Sequence, residues 1–133
     1  MQDRFRFRCF NNFQNKIFEV KNISYIDGIV KRIEVQDEER ILIFDEWQNN
    51  IDNTFLIQCT GIKDKNGKLI YEGDIVEILG DEIPYVIEYD EDRARFVIDS
   101  EIDRVCCDFD NYYGYELEII GNIYENDELL QGE

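Results

Sequence analysis

The residues of this chain that could do chemistry are carboxylates and thiols, because histidine is absent. The 133 residues include 31 acidic residues and four cysteines but no histidine, the usual base and metal ligand near neutral pH. A cysteine nucleophile normally takes its activation from such a base. Carboxylates occur along the whole chain, and no spacing singles out a pair suited to glycoside hydrolysis. We therefore expect no enzyme and name no catalytic residue, and a carboxylate-based or metal-assisted hydrolase is the third hypothesis.

Two segments look like ligand-binding loops but do not satisfy the patterns of those loops. Gly61 and Gly67 are separated by five residues where a P-loop has four, and Leu69 stands where that loop needs a hydroxyl. The run 108–110, Asp-Phe-Asp, begins like a calcium loop, but tyrosines follow where a ligand and a glycine belong. We expect no cofactor and no dedicated metal site. Weak cation binding and simple solvation are both open for the acidic runs at 90–92 and 99–103.

The cysteines and the first residues of the chain indicate its compartment. Cys9, Cys59, Cys106 and Cys107 form no Cys-x-x-Cys pair, so we interpret all four as reduced thiols rather than a disulfide framework. The first residues carry no apolar signal-peptide core, and no window reaches the roughly 18 apolar residues of a membrane span. We expect a cytoplasmic protein that does not enter a membrane.

The net charge of −17 is unevenly distributed along the chain. Through Thr60 there are 10 acidic and 8 basic residues, a net charge of −2, whereas from Gly61 onward there are 21 acidic and 6 basic, a net charge of −15. An acidic surface repels nucleic acids and anionic lipids and attracts basic partners. We expect a protein partner and no direct binding of nucleic acid, and a homo-oligomer is left open.

Two places in the sequence are candidate partner-binding sites. Glu88, Asp90, Glu91 and Asp92 surround one predicted turn, which would bring four carboxylates close together. Trp47, the single tryptophan, lies in a polar segment that reads as a surface loop, where an aromatic side chain could anchor a partner. The alternative for Trp47 is a lid that lies over the sheet.

The pattern of the whole chain predicts an all-β fold. Short apolar runs are separated by turn residues every 8–12 residues or so, and no long segment has helical periodicity. The run 4–10 alternates aromatic or cysteine residues with arginines and predicts the first strand, with Phe5, Phe7 and Cys9 on one face. The arginines of the other face either grip an anion or pair with this protein's own carboxylates. Asn66-Gly67 between two apolar arms predicts a two-residue hairpin turn with positive φ at both positions. Gly67 is therefore expected in the left-handed region.

We predict one domain with three parts. A small SH3-like or related barrel spans about residues 60–124, residues 1–59 are a β extension that continues its sheet, and residues 125–133 are a tail. In the tail, Asn126 is expected to cap a short helical turn over 127–130.

The central stretch and both ends resemble one protein family, the YopX-like proteins of phages and prophages. The segments that carry the resemblance are QCTGIKDKNGKLIYEGDIV at 58–76, RFRFR at 4–8 and LEIIGNIYENDELL at 117–130. Cys9-Phe10 departs from the family, which has a small residue followed by tryptophan there, and Asp127 replaces a proline. The resemblance implies a small, mainly β phage protein in the cytoplasm of a bacterial host, and it implies no enzymatic activity. Residues 99–113 lie outside these motifs.

Two classes of function are the leading hypotheses. The first is a non-catalytic binding or regulatory protein made during phage infection or prophage expression. The second is an acidic mimic of nucleic acid that occupies a basic site on a host protein, which requires carboxylates spaced along one continuous surface.

Overall fold

The computed structural model describes residues 5–47, 51–100, 105–108 and 114–130. The chain divides into two compact units, an N-terminal unit of residues 6–57 and a C-terminal unit of Phe5 with the described residues from Gln58 onward. The described strands, in chain order, are β1 (Phe7–Asn11), β2 (Lys16–Ile26), β3 (Ile29–Asp37), β4 (Arg40–Asp45), β5 (Thr54–Lys63), β6 (Leu69–Tyr71), β7 (Asp74–Ile78), β8 (Pro84–Asp90), β9 (Arg95–Ser100), β10 (Val105–Asp108) and β11 (Leu117–Asn122). Short 3₁₀ turns in the described residues include Ile51–Asn53, Gly114–Glu116 and Asp127–Leu130.

The strands of the N-terminal unit belong to a six-stranded antiparallel sheet with the order β4-β3-β2-β1-β5-β6, in which the end of β5 and all of β6 lie in the C-terminal unit. The turn after β1 is held by Asn11, whose buried side chain accepts from the Gln14 N–H at 2.9 Å and donates to Thr54 Oγ1 at 2.9 Å. Alternate residues point to one face, as the period of a strand requires. This face buries a core of Cys9, Phe18, Ile33, Val35 and Phe44.

The start of the first strand was predicted too early. Strand β1 begins at Phe7, residues 1–4 lie outside the described part, and Phe5 is 65% exposed rather than in the core. Within β1, Arg8 Nε lies 3.0 Å from Glu19 Oε1 across the β1–β2 pair. For Arg8, this confirms pairing with one of the protein's own carboxylates.

The C-terminal unit contains a five-stranded antiparallel sheet with the order β10-β9-β8-β7-β11. Strand β6 pairs with the end of β5 through Cys59–Tyr71 and Lys63–Leu69. The strands β7 and β8 carry buried residues at consecutive positions, so both of their faces are covered. The core of this unit consists of Ile70, Val76, Tyr85, Ile87, Ile98 and Leu117.

The predicted all-β class is confirmed, but the predicted barrel is not closed. The described strands form two open antiparallel sheets, and the five-stranded sheet ends at β10 on one side and β11 on the other. Closure would require these two edge strands to pair, and they do not do so in the described residues. The N-terminal strands share a six-stranded sheet with β5 and β6, so they continue into the range predicted for the barrel, but they do not join the five-stranded sheet. The predicted boundary at residues 59–60 falls within β5, which runs from one unit into the other.

The central hairpin turn is longer than the Asn-Gly pair predicts. Gly67 has φ +81, as expected, but Asn66 is not among the described residues with positive φ. The loop between β5 and β6 has five residues, and the Gly67 N–H donates to the Asp64 carbonyl at 3.0 Å. The reason is Asp64, whose side chain accepts from the N–H groups of Asn66 and Lys68, both at 2.9 Å. An aspartate that satisfies its own loop in this way favours the wider turn.

The short helical turn near the C-terminus is confirmed at Asp127–Leu130. The Leu129 N–H donates to the Asn126 carbonyl at 3.0 Å. However, the Asn126 side chain accepts from the Asn122 N–H at 3.2 Å, so it points back toward β11 instead of capping the turn. Among the described residues, no helix is both long enough and apolar enough to cross a membrane.

Candidate functional site

A groove in the C-terminal unit begins at the loop between β7 and β8. Gly80 adopts φ +87 and turns the chain after β7, and the Asp81 N–H donates to the Ile78 carbonyl at 2.8 Å. The Asp81 carboxylate accepts from the Ile83 N–H at 3.0 Å and from the Tyr85 hydroxyl at 2.7 Å. These two hydrogen bonds keep the pKa of Asp81 below its ordinary value. The two hydrogen bonds therefore hold the loop in place, and Asp81 is ionised at neutral pH.

The floor of the groove is built from the pairing of β7 with β11. Glu77 and Glu118 are direct partners in this pairing, and like charges in that position repel each other. The Lys65 ammonium lies 3.1 Å from Glu118 Oε1, and the Asn66 amide donates to Glu118 Oε2 at 3.4 Å. The charge of Glu118 is thus partly neutralised, whereas the structure shows no ion pair for Glu77 within the described residues.

Asp64 places Lys65 at the groove. The Asp64 carboxylate accepts from the Ile119 N–H at 3.0 Å, in addition to its two donors within the loop. The Lys65 N–H donates to the Leu117 carbonyl at 2.9 Å. Burial by itself raises the pKa of Asp64, but the three backbone N–H donors outweigh it and keep the pKa below its ordinary value. The loop between β5 and β6 is thereby attached to the outer edge of β11, where it satisfies two backbone groups.

The groove has a volume of about 560 Å³ and is dominated by negative charge. Among the described residues that line it, Lys65 is the single basic one, and Leu79, which also lines it, is 70% exposed. A concave surface with carboxylates beside an apolar side chain suits a Lys- or Arg-bearing segment, because it offers charge to the head group and contact to the alkyl stem. The carboxylates belong to Glu77, Asp81, Glu82, Glu116 and Glu118.

The four carboxylates predicted from the sequence are brought together by the β8–β9 hairpin. Together with Tyr89 and Val97 they line a second, shallower concavity of about 440 Å³, and they are Glu88, Asp90, Glu91 and Asp92. The Asp92 N–H donates to Asp90 Oδ1 at 3.1 Å, and Arg93 Nε lies 3.8 Å from Asp90 Oδ2. Tyr89 packs edge-on against Phe96, with the ring centroids 5.3 Å apart. The hairpin therefore presents its acidic groups beside a packed aromatic pair.

Trp47 lies in the N-terminal unit, just after β4. Its side chain is 87% exposed, so it does not lie over the sheet as a lid. Its backbone N–H donates to Asp45 Oδ1 at 2.9 Å, which fixes the chain at the start of the segment. Residues 48–50, which follow, lie outside the described residues. Trp47 stays a candidate anchor for a partner.

Sequence reasoning missed the groove because its two sides are distant in the sequence. Glu77 and Glu118 meet only through the pairing of β7 with β11, which no local pattern reveals. One local signal was available in the sequence Leu79-Gly80-Asp81-Glu82, where a large apolar residue enters an otherwise polar turn. An exposed leucine in such a turn is a reason to search for a contact surface.

The thiols and carboxylates do not form a metal site in the part of the chain that is described. No group of three or more Cys, Asp or Glu residues there is arranged to hold an ion. Cys9 and Cys59 are buried thiols that form no disulfide, and burial raises the pKa of Cys9 to about 12. Such a thiol is not a nucleophile at neutral pH. The side chains of Cys106 and Cys107 lie outside the described residues.

Comparisons with known proteins place the chain in a family. A search of proteins with curated functions found no match. Among solved structures, protein EF1440 from Enterococcus faecalis is 26% identical, with a TM-score of 0.64 over 95% of this chain and 97% of the other. Protein yopX from Bacillus subtilis is 20% identical, with a TM-score of 0.62 over 96% and 99%, a likeness that shows the fold alone. Because the model of the YopX protein family also matches residues 6–131, nearly the whole sequence, the chain belongs to the YopX family.

Proposed function

We propose that this is a non-catalytic binding or regulatory protein whose acidic groove engages a basic segment of a protein partner. The observation that supports the proposal most directly is the lining of the groove, to which the described residues contribute five carboxylates, one lysine and an exposed leucine. Its volume of about 560 Å³ falls in the range of about 300–1,000 Å³ that is usual for binding clefts.

The charge of the groove acts mainly on encounter and on the choice of partner. Exposed charges interact over about 8–10 Å at physiological salt, so a strongly acidic face attracts a basic partner before contact is made. Affinity then requires burial of apolar surface, which Leu79 offers in the lining of the groove. An arginine or lysine with apolar neighbours fits both requirements.

A second candidate is an acidic mimic of nucleic acid that blocks a basic site on a host protein. The observation in its favour is that the same unit carries a second acidic concavity on the β8–β9 hairpin. A mimic would use both surfaces, and its partner would release it when DNA is added. A hydrolase remains the third hypothesis, and the family resemblance supports an origin in a phage or prophage and a place in the host cytoplasm.

The test is a capture experiment from host lysate with two variants of equal charge change. The groove variant carries Glu77→Gln and Glu82→Gln, and the matched control carries Glu91→Gln and Asp92→Asn on the β8–β9 turn. We expect the wild-type protein and the control to retain the same partner, and the groove variant to lose it. Retention should weaken from low to physiological salt.

The outcomes separate the candidates. If both double variants lose the partner and added DNA releases it from the wild type, the mimic is the better explanation. If all three proteins retain the same partners at both salt concentrations, neither acidic surface binds them, and Trp47 becomes the surface to test next.

A further inference from the structure

The β2–β3 hairpin ends in an exposed apolar tip. Tyr25, Ile26 and Ile29 are 58%, 60% and 59% exposed, although they are large apolar or aromatic residues. Ile26 and Ile29 are direct cross-strand partners, and Tyr25 faces Val30 in the same way. The turn between them, Asp27-Gly28, has positive φ at both positions and is therefore tight.

This tip extends beyond the neighbouring strands of its own sheet. Strand β1 pairs with β2 only as far as Glu19, and β4 pairs with β3 only from Arg32 onward. The end of the hairpin is therefore a two-stranded ribbon, without a third strand among the described residues. A two-stranded ribbon is marginal in water, and here it exposes Ile26 and Ile29 on one face and Tyr25 on the other. Exposed apolar side chains grouped at the end of a ribbon mark an interaction site.

The part of the hairpin around the tip contributes more basic than acidic residues, unlike the chain as a whole. Residues 20–32 carry three basic residues and one acidic residue, in a chain with a net charge of −17. Lys31 Nζ lies 3.0 Å from Glu46 Oε1, and Arg32 Nη2 lies 3.0 Å from Glu34 Oε1. These pairs are solvent-exposed, so they hold the basic groups weakly and a stronger acidic surface can replace them.

We propose that the partner of this tip is a second copy of the chain, whose acidic groove receives it. The apolar tip with its flanking Lys21, Lys31 and Arg32 complements the groove, where Leu79 lies beside Glu77 and four further carboxylates. This inference deepens the proposed function, since it uses the same groove and names one partner for it. The contact joins two different surfaces, so it is heterologous and can link more than two chains.

The test uses two variants of the full chain, each of which destroys one side of the contact. The tip variant carries Ile26→Glu and Ile29→Glu, and the groove variant carries Glu77→Lys and Leu79→Lys. Phe13→Glu is the matched control, because Phe13 is 79% exposed in the same unit but lies outside the hairpin tip. Circular dichroism melting confirms that each variant is folded, and sedimentation velocity measures assembly.

We expect the wild type and Phe13→Glu to form species of two or more chains, and each double variant alone to sediment as a monomer. A mixture of the two double variants retains one intact tip and one intact groove, so it should form species of two chains and no larger. Raising the salt should weaken each of these assemblies, because the contact joins opposite charges.

Three outcomes would overturn the inference: a monomeric wild type, a folded tip or groove variant that still assembles on its own, or a mixture that stays monomeric. Retention of a host protein distinguishes failure of the proposed function from failure of this self-association. A tip variant that no longer assembles but still retains a host protein through the groove supports both proposals, and a monomeric wild type that retains a host protein leaves only the proposed function.

Discussion

The conformation of the loop between β5 and β6, in the C-terminal unit, depends on single residues with unusual surroundings. Asp64 is 5% exposed, yet it is ionised, because its carboxylate accepts from three backbone N–H groups. A buried carboxylate without such donors would be strongly disfavoured. Asp64 thus has a structural role, and it explains why the loop is wider than the Asn-Gly pair predicts.

Replacing Asp64 should destabilise the protein and change its response to acid. Asp64→Ala leaves three N–H donors without their acceptor, which should cost about 1–3 kcal/mol in the free energy of unfolding. Asp64→Asn should cost less, because its amide oxygen still accepts. Urea denaturation at neutral pH measures both changes.

The direction of the pH effect follows from the lowered pKa of Asp64. Its folded pKa lies below the unfolded value of about 3.9, so its stabilisation is complete above that value and is lost as the pH falls through the folded pKa. The stability difference between wild type and Asp64→Asn should therefore shrink below about pH 4. A difference that stays constant throughout this range would contradict the role assigned to the carboxylate.

Gly67 gives a second prediction at this scale. Its φ is +81 and nothing lies within 4 Å of the place where a side chain would begin, so its requirement is conformational and not steric. Gly67→Val should lower the stability by about 1 kcal/mol or more, and Gly67→Asn by less, because asparagine tolerates this conformation. Thermal melting of both variants tests the expectation. Equal midpoints for Gly67→Val and the wild type would contradict the placement of the turn.

At the scale of elements, the turn between β6 and β7 attaches several strands to one another. The Gly73 N–H donates to the Ile87 carbonyl at 2.7 Å, and the Gly73 carbonyl accepts from the Ile123 N–H at 2.9 Å. Inside the turn, the Asp74 carboxylate accepts from the Tyr71 N–H at 2.8 Å. The ring of Tyr124 packs against the turn, and its burial raises the pKa of Tyr124. This turn therefore connects the central motif to the C-terminal motif.

Gly73→Ala should be far more damaging than an alanine at another glycine with positive φ. A Cβ atom at Gly73 would lie 2.8 Å from Tyr124 Cε2, whereas one at Gly80, whose φ is +87, would meet nothing within 4 Å. Gly80→Ala in the same unit thus measures the conformational cost, of the order of 1 kcal/mol, and Gly73→Ala adds a steric clash.

Equilibrium unfolding of Gly73→Ala, Gly80→Ala and Gly73→Ala with Tyr124→Leu separates the two causes. The double variant should recover part of the loss, because the smaller side chain removes the ring that meets the new methyl group. Equal losses for Gly73→Ala and Gly80→Ala would show that the ring moves aside at no cost.

At the scale of the whole molecule, the dominant property is its net charge of −17. Charge of one sign opposes the compact state by self-repulsion, and this chain concentrates the charge in one unit. In the unit that carries most of this charge, the ion pair of Lys65 with Glu118 is solvent-exposed and offsets little of the repulsion.

The stability of the protein should therefore rise with ionic strength. Screening shortens the Debye length from about 30 Å at 0.01 M to about 8 Å at 0.15 M, which removes much of the repulsion between separate carboxylates. We expect the thermal midpoint to increase between these concentrations with both sodium chloride and potassium chloride. A midpoint that falls with both salts would show that attractive pairs outweigh the repulsion.

The sequence alone determined those features that depend on residues close together in the chain. The all-β class followed from short alternating runs between turns, the positive φ of Gly67 from the special conformations of glycine, and the grouping of Glu88 with Asp90 to Asp92 from one hairpin. The family resemblance rested on contiguous motifs in the same way.

The tertiary structure decided everything that depends on which strands become neighbours. The open sheet replaced the predicted barrel because β10 and β11 remain edge strands, and the groove exists because β11 pairs with β7 across about forty residues of sequence. Asp64 acquired its third hydrogen bond, from Ile119, through that same pairing. Local patterns specify the periodicity of a strand but not its partner, because pairing is settled by which faces can be buried together.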